Sequence, residues 1–385
     1  MIYDFLLFEN TRNTDNHYKD LEILAHMLLR LGYSVAIADV FLEGAMCKDQ
    51  RIPHVALNTK CPKGLELKYK RKNFLESLIH RYKLKCYLKK VIKEILPLAK
   101  NFYVGSLFTS MPTVCIDLIP SEKNCFVWGL RSVVLKKRPG LSLSNYYSYQ
   151  LYTTVLKRPN ICFVVSNELI GEEFVNLGID EKRIVLRPER TIPKLPEFVK
   201  REDNELHLLS IGSIRPKRKV EQCINALSKL RDETVFYTIA GKSNSEEREQ
   251  QIEKAMEGVP NVERRNYRLS DEEYLQLMNW CDVLVLCDDN YSNTASSGTM
   301  NEALLNNKPI IASDCPSFKY YIDKYHIGIA YEWENIDSLI EAIRTAKKKG
   351  VESFRDSLMA YQRNLLESKV LEDFGDKLNR MITNA

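Results

Sequence analysis

A chain of 385 residues, 44% apolar and 28% charged, is long enough for two or three domains with large cores, which excludes wholesale disorder, collagen-like repeats and coiled coil. Its longest apolar runs, such as Val283 to Cys287, fall far short of the roughly 20 residues of a membrane-spanning helix, and Asp4 and Glu9 interrupt the N-terminal one, so neither a span nor a signal peptide is expected. The net charge of +5 is unevenly spread: residues 60–100 carry 13 Lys or Arg against Glu66, Glu76 and Glu94, a net +10, so everything else sums to −5 and the basicity marks a surface patch rather than general nucleic-acid binding.

In chain order, an apolar run at 2–8 precedes a polar loop at 10–16. A helical pattern (Leu21, Leu24, Ala25, Leu28, Leu29) follows, then Gly32 and a second apolar run at 35–40. This reads as strand, loop, helix, glycine stop, strand. Short apolar runs at 102–104, 113–116, 125–128 and 161–165 continue the alternation, and a parallel sheet covered on both faces is the economical arrangement. Three prolines between Arg187 and Pro196, followed by polar residues 200–205, mark a linker. A second alternation predicts strands at 206–211, 234–240, 262–265, 283–287 and 309–312. Helices are expected at 220–230, 246–256, 271–280 and 299–306. The expected fold is α/β, with two doubly wound Rossmann-like domains facing a central cleft: residues 1–195, and residues 205–355 for a nucleotide. A helical tail at 352–381 is longer than the second domain needs, and its part at 360–385 is assigned to the first.

Ten cysteines lie scattered between Cys47 and Cys315 without the close pairs of a zinc or redox site, and six histidines are dispersed. A reduced, cytoplasmic compartment and no structural metal are the expectation.

Ligands of open α/β sheets bind beyond the carboxyl ends of the strands, so the loops there carry the chemistry. After Gly212 the chain reads Ser-Ile-Arg215-Pro-Lys217-Arg218-Lys219, a cationic turn suited to a diphosphate, although a solvated basic turn has the same composition. Residues 293–299 are small, ending in Ser297-Gly298-Thr299, and open a helix whose N-terminus attracts an anion. Glu302 lies four residues past Gly298, about 6 Å along that helix, the step from a diphosphate to its ribose. A carboxylate there can accept from both ribose hydroxyls, or it is simply a glutamate favoured by the helix dipole. Tyr267 lies before a capping-box spacing, Ser270 to Glu273, and either stacks on a nucleobase or is an exposed turn tyrosine.

Taken in order, Ile211-Gly-Ser-Ile-Arg-Pro-Lys-Arg-Lys219, Ile239-Ala-Gly-Lys242, Cys281-Asp-Val-Leu-Val285, Ser296-Ser-Gly-Thr-Met-Asn-Glu-Ala303 and Lys308-Pro-Ile-Ile-Ala-Ser-Asp314 resemble the group 1 glycosyltransferases. The resemblance implies the GT-B fold and a retaining enzyme that uses a nucleotide-activated sugar. It gives Arg215, Lys217 and Arg218 to the donor diphosphate, Ser297, Gly298 and Thr299 to a phosphate-binding turn with Gly212 close by, and Glu302 to the ribose. It departs at Thr294, where the family has its first motif glutamate, and in 9–17, which lacks the family's glycines. The family's histidine in the first domain is also not evident, Trp128-Gly-Leu-Arg131 standing in its place.

The resulting expectation is a hexosyltransferase acting on a hydroxyl acceptor, a lipid-linked or surface-polysaccharide intermediate, with no cofactor, no metal and no nucleic acid. No Asp-x-Asp metal motif occurs. A nucleotide-sugar epimerase of GT-B shape, or a catalytically inactive GT-B-like binding subunit, are the alternatives. Residues 73–98 place Phe74, Leu75, Leu78, Ile79, Tyr82, Leu88, Val91, Ile92 and Ile95 at helical spacing among Arg81, Lys83, Lys85, Lys89, Lys90 and Lys93. Two arrangements fit: a basic amphipathic helix docking peripherally on an anionic membrane at its inner face, or a core-packed helix with a solvated lysine face.

Overall fold

A computed structural model describes residues 2–9, 15–38, 40, 49, 51–62, 65, 74–105, 118–129, 158–198, 204–288 and 297–383. The chain divides into two compact units, Met1–Glu189 with Leu371–Ala385, and Arg190–Val370.

In the first unit, strands β1 (Tyr3–Glu9), β2 (Val35–Ala38), β3 (His54–Val55), β4 (Ala99–Gly105), β5 (Asn124–Gly129), β6 (Ile161–Val165) and β7 (Ile184–Leu186) form one sheet in the order β3-β2-β1-β4-β5-β6-β7. Its neighbours all run parallel. The two-residue period of a strand divides β1 between two cores: Leu6 and Phe8 face one, Phe5 and Leu7 the other. Helix α1 (Asp15–Arg30) and the C-terminal helix, through Phe374, Leu378 and Met381, cover the Phe5 side. Helix α2 (Phe74–Ile95) covers the Leu6 side and α3 (Glu168–Asn176) starts at an Asn167 cap. The strand expected at 113–116 lies outside the described residues.

From Leu84 onward the structure decides between the two arrangements for α2, while the side chains of Phe74, Leu75 and Leu78 lie outside the described residues. Leu84, Tyr87, Leu88, Val91, Ile92 and Ile95 are buried in the core, so this apolar stripe is not available to lipid. Lys83, Lys85, Lys89, Lys90 and Lys93 are exposed, with Ile79 and Tyr82 on the surface beside them.

In the second unit, β8 (Leu206–Ile211), β9 (Val235–Ala240), β10 (Val262–Arg265), β11 (Val283–Leu286), β12 (Ile310–Ser313) and β13 (Gly328–Tyr331) form a parallel sheet in the order β10-β9-β8-β11-β12-β13. Around it stand α4 (Glu221–Leu230), α5 (Glu246–Met256), α6 (Asp271–Trp280), α7 (Gly298–Leu305), α8 (Pro316–Tyr325) and α9 (Ile336–Lys349). Strand order reverses between β8 and β11, which puts the ligand-binding crevice of this topology at their carboxyl ends.

The tail is not one helix. α10 (Arg355–Arg363) ends at Asn364, Leu366 pairs with Ile192, and α11 (Glu367–Thr383) begins anew. The break has a physical cause: Ile192 donates to the Leu365 carbonyl and accepts from Glu367 N–H, both at 2.9 Å, which takes these groups out of a helical ladder. Residues 190–195 and the tail up to Val370 accordingly belong with the second unit rather than the first.

Candidate active site in the second unit

The sheet reversal is closed by hydrogen bonds between the two loops that flank it. Lys219 N–H donates to the Cys287 carbonyl (2.6 Å), and Arg218 forms an antiparallel bridge with Asp288 just past β11. Gly212, at the tip of β8, has φ +105°, and Gly241, at the tip of β9, has φ +123°. A Cβ on Gly241 would stand 2.0 Å from the Gly212 carbonyl oxygen, so the two loop backbones meet only because this residue is glycine.

Arg218 holds this corner together. Its guanidinium donates to the Ile211 carbonyl (2.7 Å) and to Thr299 Oγ1 (3.3 Å), and lies 3.7 Å from Asp288 Oδ1, with only 12% of the side chain exposed. The residues it joins lie on β8, on the loop after β11 and on the first turn of α7. A second buried arginine supports it from behind: Arg248, on α5, donates to the Arg218 carbonyl (2.7 Å) and to Glu221 Oε2 (2.6 Å). Arg215 and Lys217, by contrast, are exposed and make no side-chain hydrogen bond or ion pair among the described residues.

Helix α7 starts at Ser297, whose buried hydroxyl accepts from Met300 N–H (3.3 Å). Gly298 is exposed with open space where a Cβ would stand, and Thr299 turns its hydroxyl to Arg218. One turn on, Glu302 pairs with Arg190, the first residue of this unit. Tyr274, half-buried on α6, lies in the field of the same group. Burial, then the Glu302 charge, pushes its phenol up to about 12 against the opposing charges of Arg218 and Arg190, so it stays a neutral donor.

Of the residues singled out by sequence, Gly212, Arg218 and Thr299 meet at one corner, with Ser297, Gly298 and Glu302 on the helix that Thr299 opens. Arg218 differs from expectation: it is not a solvated cation waiting for an anion but a bridge between three segments. Tyr267 stands apart from the corner in its bonding. Its hydroxyl donates to Glu273 Oε1 (3.2 Å), within the capping box where Ser270 Oγ accepts from Glu273 N–H (3.2 Å). Thr294 and Arg131 lie outside the described residues. Arg190, Arg248 and Tyr274 carried no local signal, because each comes from a part of the sequence outside the motif loops, and Asp288 lies just past β11 without a motif of its own.

In the first unit, ligand atoms of Glu22, His26 and Asp49 lie within 4.8 Å of one another. Arg51 takes both Asp49 oxygens (2.9 and 2.5 Å), holding that carboxyl well below the usual carboxylate range, so its charge is already met.

The family model for glycosyl transferases group 1 matches residues 192–365. No curated protein matches the chain in sequence. Among solved structures, a lipopolysaccharide outer core galactosyltransferase, WaaB, is similar at 14% identity and a TM-score of 0.67, with 99% of each chain covered. A glycosyltransferase from Rickettsia africae is similar at 15% identity and 0.68, again over 99% of each chain. HepE of Anabaena, solved with UDP, is similar at 11% identity and 0.66 over 100% of each. At these identities the solved structures speak for the fold, and the family match falls on the unit that holds the Gly212, Arg218 and Thr299 corner. Residues 192–365 thus match the group 1 glycosyl transferases, and the chain has the GT-B fold of these solved glycosyltransferases.

Proposed function

We propose that the chain transfers a sugar, with retention, from a nucleotide-diphosphate sugar to a hydroxyl acceptor that is lipid-linked or part of a surface polysaccharide, working in the cytoplasm at the inner face of a membrane. The observation that carries the donor half is the convergence of Gly212, Arg218 and Thr299 at the sheet reversal, with Glu302 one turn along α7. The α7 N-terminus and Gly298 N–H would receive the diphosphate, with Arg215 and Lys217 supplying further positive charge. Glu302 would accept from the ribose hydroxyls. In the transfer, the bond from the anomeric carbon to the diphosphate oxygen breaks and a bond from that carbon to the acceptor oxygen forms on the same face. The acceptor proton passes to the departing diphosphate oxygen. Positive charge fixed before the reaction stabilises that oxygen as it becomes anionic, which is the usual largest contribution. HepE, solved with UDP-glucose, supports a nucleotide-sugar donor.

A thermal-shift screen against nucleoside diphosphates and their sugars, followed by donor hydrolysis assays, tests the reading. Stabilisation by one nucleotide and slow release of free sugar are expected. Isomerisation of the donor would make the protein an epimerase, and binding without turnover a non-catalytic subunit. Because protein cations and a helix terminus meet the diphosphate, full activity should survive EDTA. Complete loss on chelation, restored by magnesium or manganese, would overturn that part.

A further inference from the structure

Glu302 is held by an arginine of the same unit. Arg190 closes on its Oε1, with 58% of the arginine side chain exposed and 20% of the glutamate, while Oε2 carries no hydrogen bond among the described residues. The segment bearing Arg190 is anchored at both ends within the second unit. Ile192 pairs with Leu366 through two backbone hydrogen bonds, and Asn307, just past α7, donates to the Pro196 (3.1 Å) and Glu197 (2.9 Å) carbonyls. Gln362, from α10, fastens the same end of α7 by donating to the Leu304 carbonyl (2.7 Å) and to Asn307 Oδ1 (2.8 Å). The arginine thus springs from a strap tied to the helix that carries its partner.

We infer that Arg190 is a positioning residue for nucleoside recognition: its guanidinium holds one Glu302 oxygen and leaves the other to take the ribose hydroxyls. This rests on the ribose role of Glu302 proposed above. A glutamate without a fixed partner samples several rotamers, and fixing it on binding costs conformational entropy. An ion pair already in place removes most of that cost. Arginine suits the task better than lysine, since its planar fork fixes direction as well as charge.

The test is a double-mutant cycle by titration calorimetry on the full chain. The probes are the diphosphates of uridine, adenosine, guanosine and cytidine, the tightest being taken forward, with inorganic pyrophosphate as the ligand that lacks a ribose. Arg190→Ala should weaken nucleoside diphosphate binding about fivefold, the upper range for a half-exposed pair. Arg190→Lys should restore part of it, and pyrophosphate affinity should not change. In the Glu302→Gln background, Arg190→Ala should have no further effect. In turnover, the donor KM should rise with kcat unchanged. Equal weakening towards pyrophosphate would make Arg190 a direct phosphate ligand and overturn the inference. Tighter nucleotide binding by Arg190→Ala would make it a guard that the ribose must displace, with the same result. If Glu302→Gln alone leaves nucleotide affinity unchanged, the ribose role fails first. If Glu302→Gln weakens binding but Arg190→Ala weakens it further in that background, only the role of Arg190 falls.

Discussion

Two arginines in one loop differ in burial and bonding. Arg215 is exposed and makes no side-chain bond among the described residues, whereas Arg218 ties the Ile211 carbonyl, Thr299 and Asp288 together. Truncating Arg218 leaves those groups short of a partner in a mostly buried corner, at a cost of about 1–3 kcal/mol. Arg218→Ala should therefore lower the denaturation midpoint of the protein as well as its activity. Arg215→Ala and Lys217→Ala should leave that midpoint within about 0.5 kcal/mol of the parent while lowering kcat more than donor affinity, because the charge they meet grows in the transition state. Equal melting losses for Arg215→Ala and Arg218→Ala would dissolve the distinction. Carboxylates elsewhere set the acid limit of the fold. Asp4 bonds Lys100 (2.8 Å) and Ser34 in the first unit, and Asp232 bonds Lys347 (2.5 Å) and Thr234 in the second, and each is held down to about 2 from the ordinary 3.8. A depressed folded-state value contributes stability that is complete above the unfolded value and is lost as pH falls through the folded one. Urea midpoints should accordingly fall between about pH 4 and pH 2, and Asp4→Asn with Asp232→Asn should flatten that slope. An unchanged slope in the double variant would show that other groups govern acid unfolding.

At the scale of elements, the glycines divide in the same way. Gly241→Ala meets a backbone oxygen at 2.0 Å and adopts a left-handed φ, so it should cost several kcal/mol, on the order of 1–3 from backbone conformation alone, and the β8 to β9 loop contact with it. Gly298→Ala meets open space in the first turn of α7, so stability should hold or rise by about 0.4–1 kcal/mol while the added methyl group obstructs the diphosphate. Chemical denaturation together with nucleotide titration on the two variants reads both effects. A Gly298→Ala protein that binds nucleotide as well as the parent would remove the α7 turn from the donor site. Much of this scaffold was legible in the sequence because its ends carry chemical signals. Ser245 and Ser270 cap α5 and α6 where the sequence places those helices, and the apolar run at 206–211 is β8 to the residue. Strand β3 was not legible: two residues paired only with Ile37 and Ala38 leave no periodicity to find. The interruption between α10 and α11 was hidden because it is imposed by Ile192, from the opposite end of the unit's sequence. The candidate site was legible as a set of residue types on the right loops, but not as a wiring diagram. Composition treats Arg215, Lys217 and Arg218 alike, and nothing near Glu302 in sequence announces Arg190.

At the scale of the whole molecule, the uneven charge becomes a surface. The +10 between residues 60 and 100 is displayed in part by α2, where Lys83, Lys85, Lys89, Lys90 and Lys93 stand in solvent while the helix's apolar stripe is committed to the first unit's core. Among the described residues no helix is long and apolar enough to cross a membrane. Attachment to a bilayer through α2 would therefore be electrostatic, with Ile79 and Tyr82 the exposed apolar groups at hand, rather than insertion of a hydrophobic face. Each lysine close to an anionic surface contributes about 1 kcal/mol, so these lysines together are enough for reversible docking. Such attraction decays within a Debye length of about 8 Å at physiological salt and shortens as salt rises. The protein should sediment with liposomes containing phosphatidylglycerol but not with phosphatidylcholine alone, and high salt should release it completely. Lys89→Glu with Lys90→Glu, both on the exposed face and away from the core stripe, should abolish sedimentation without changing hydrolysis of a soluble donor. Binding to both kinds of liposome would mean that apolar groups drive association after all. Binding to neither would assign the lysine face to solvent and make a soluble glycan the better acceptor to test.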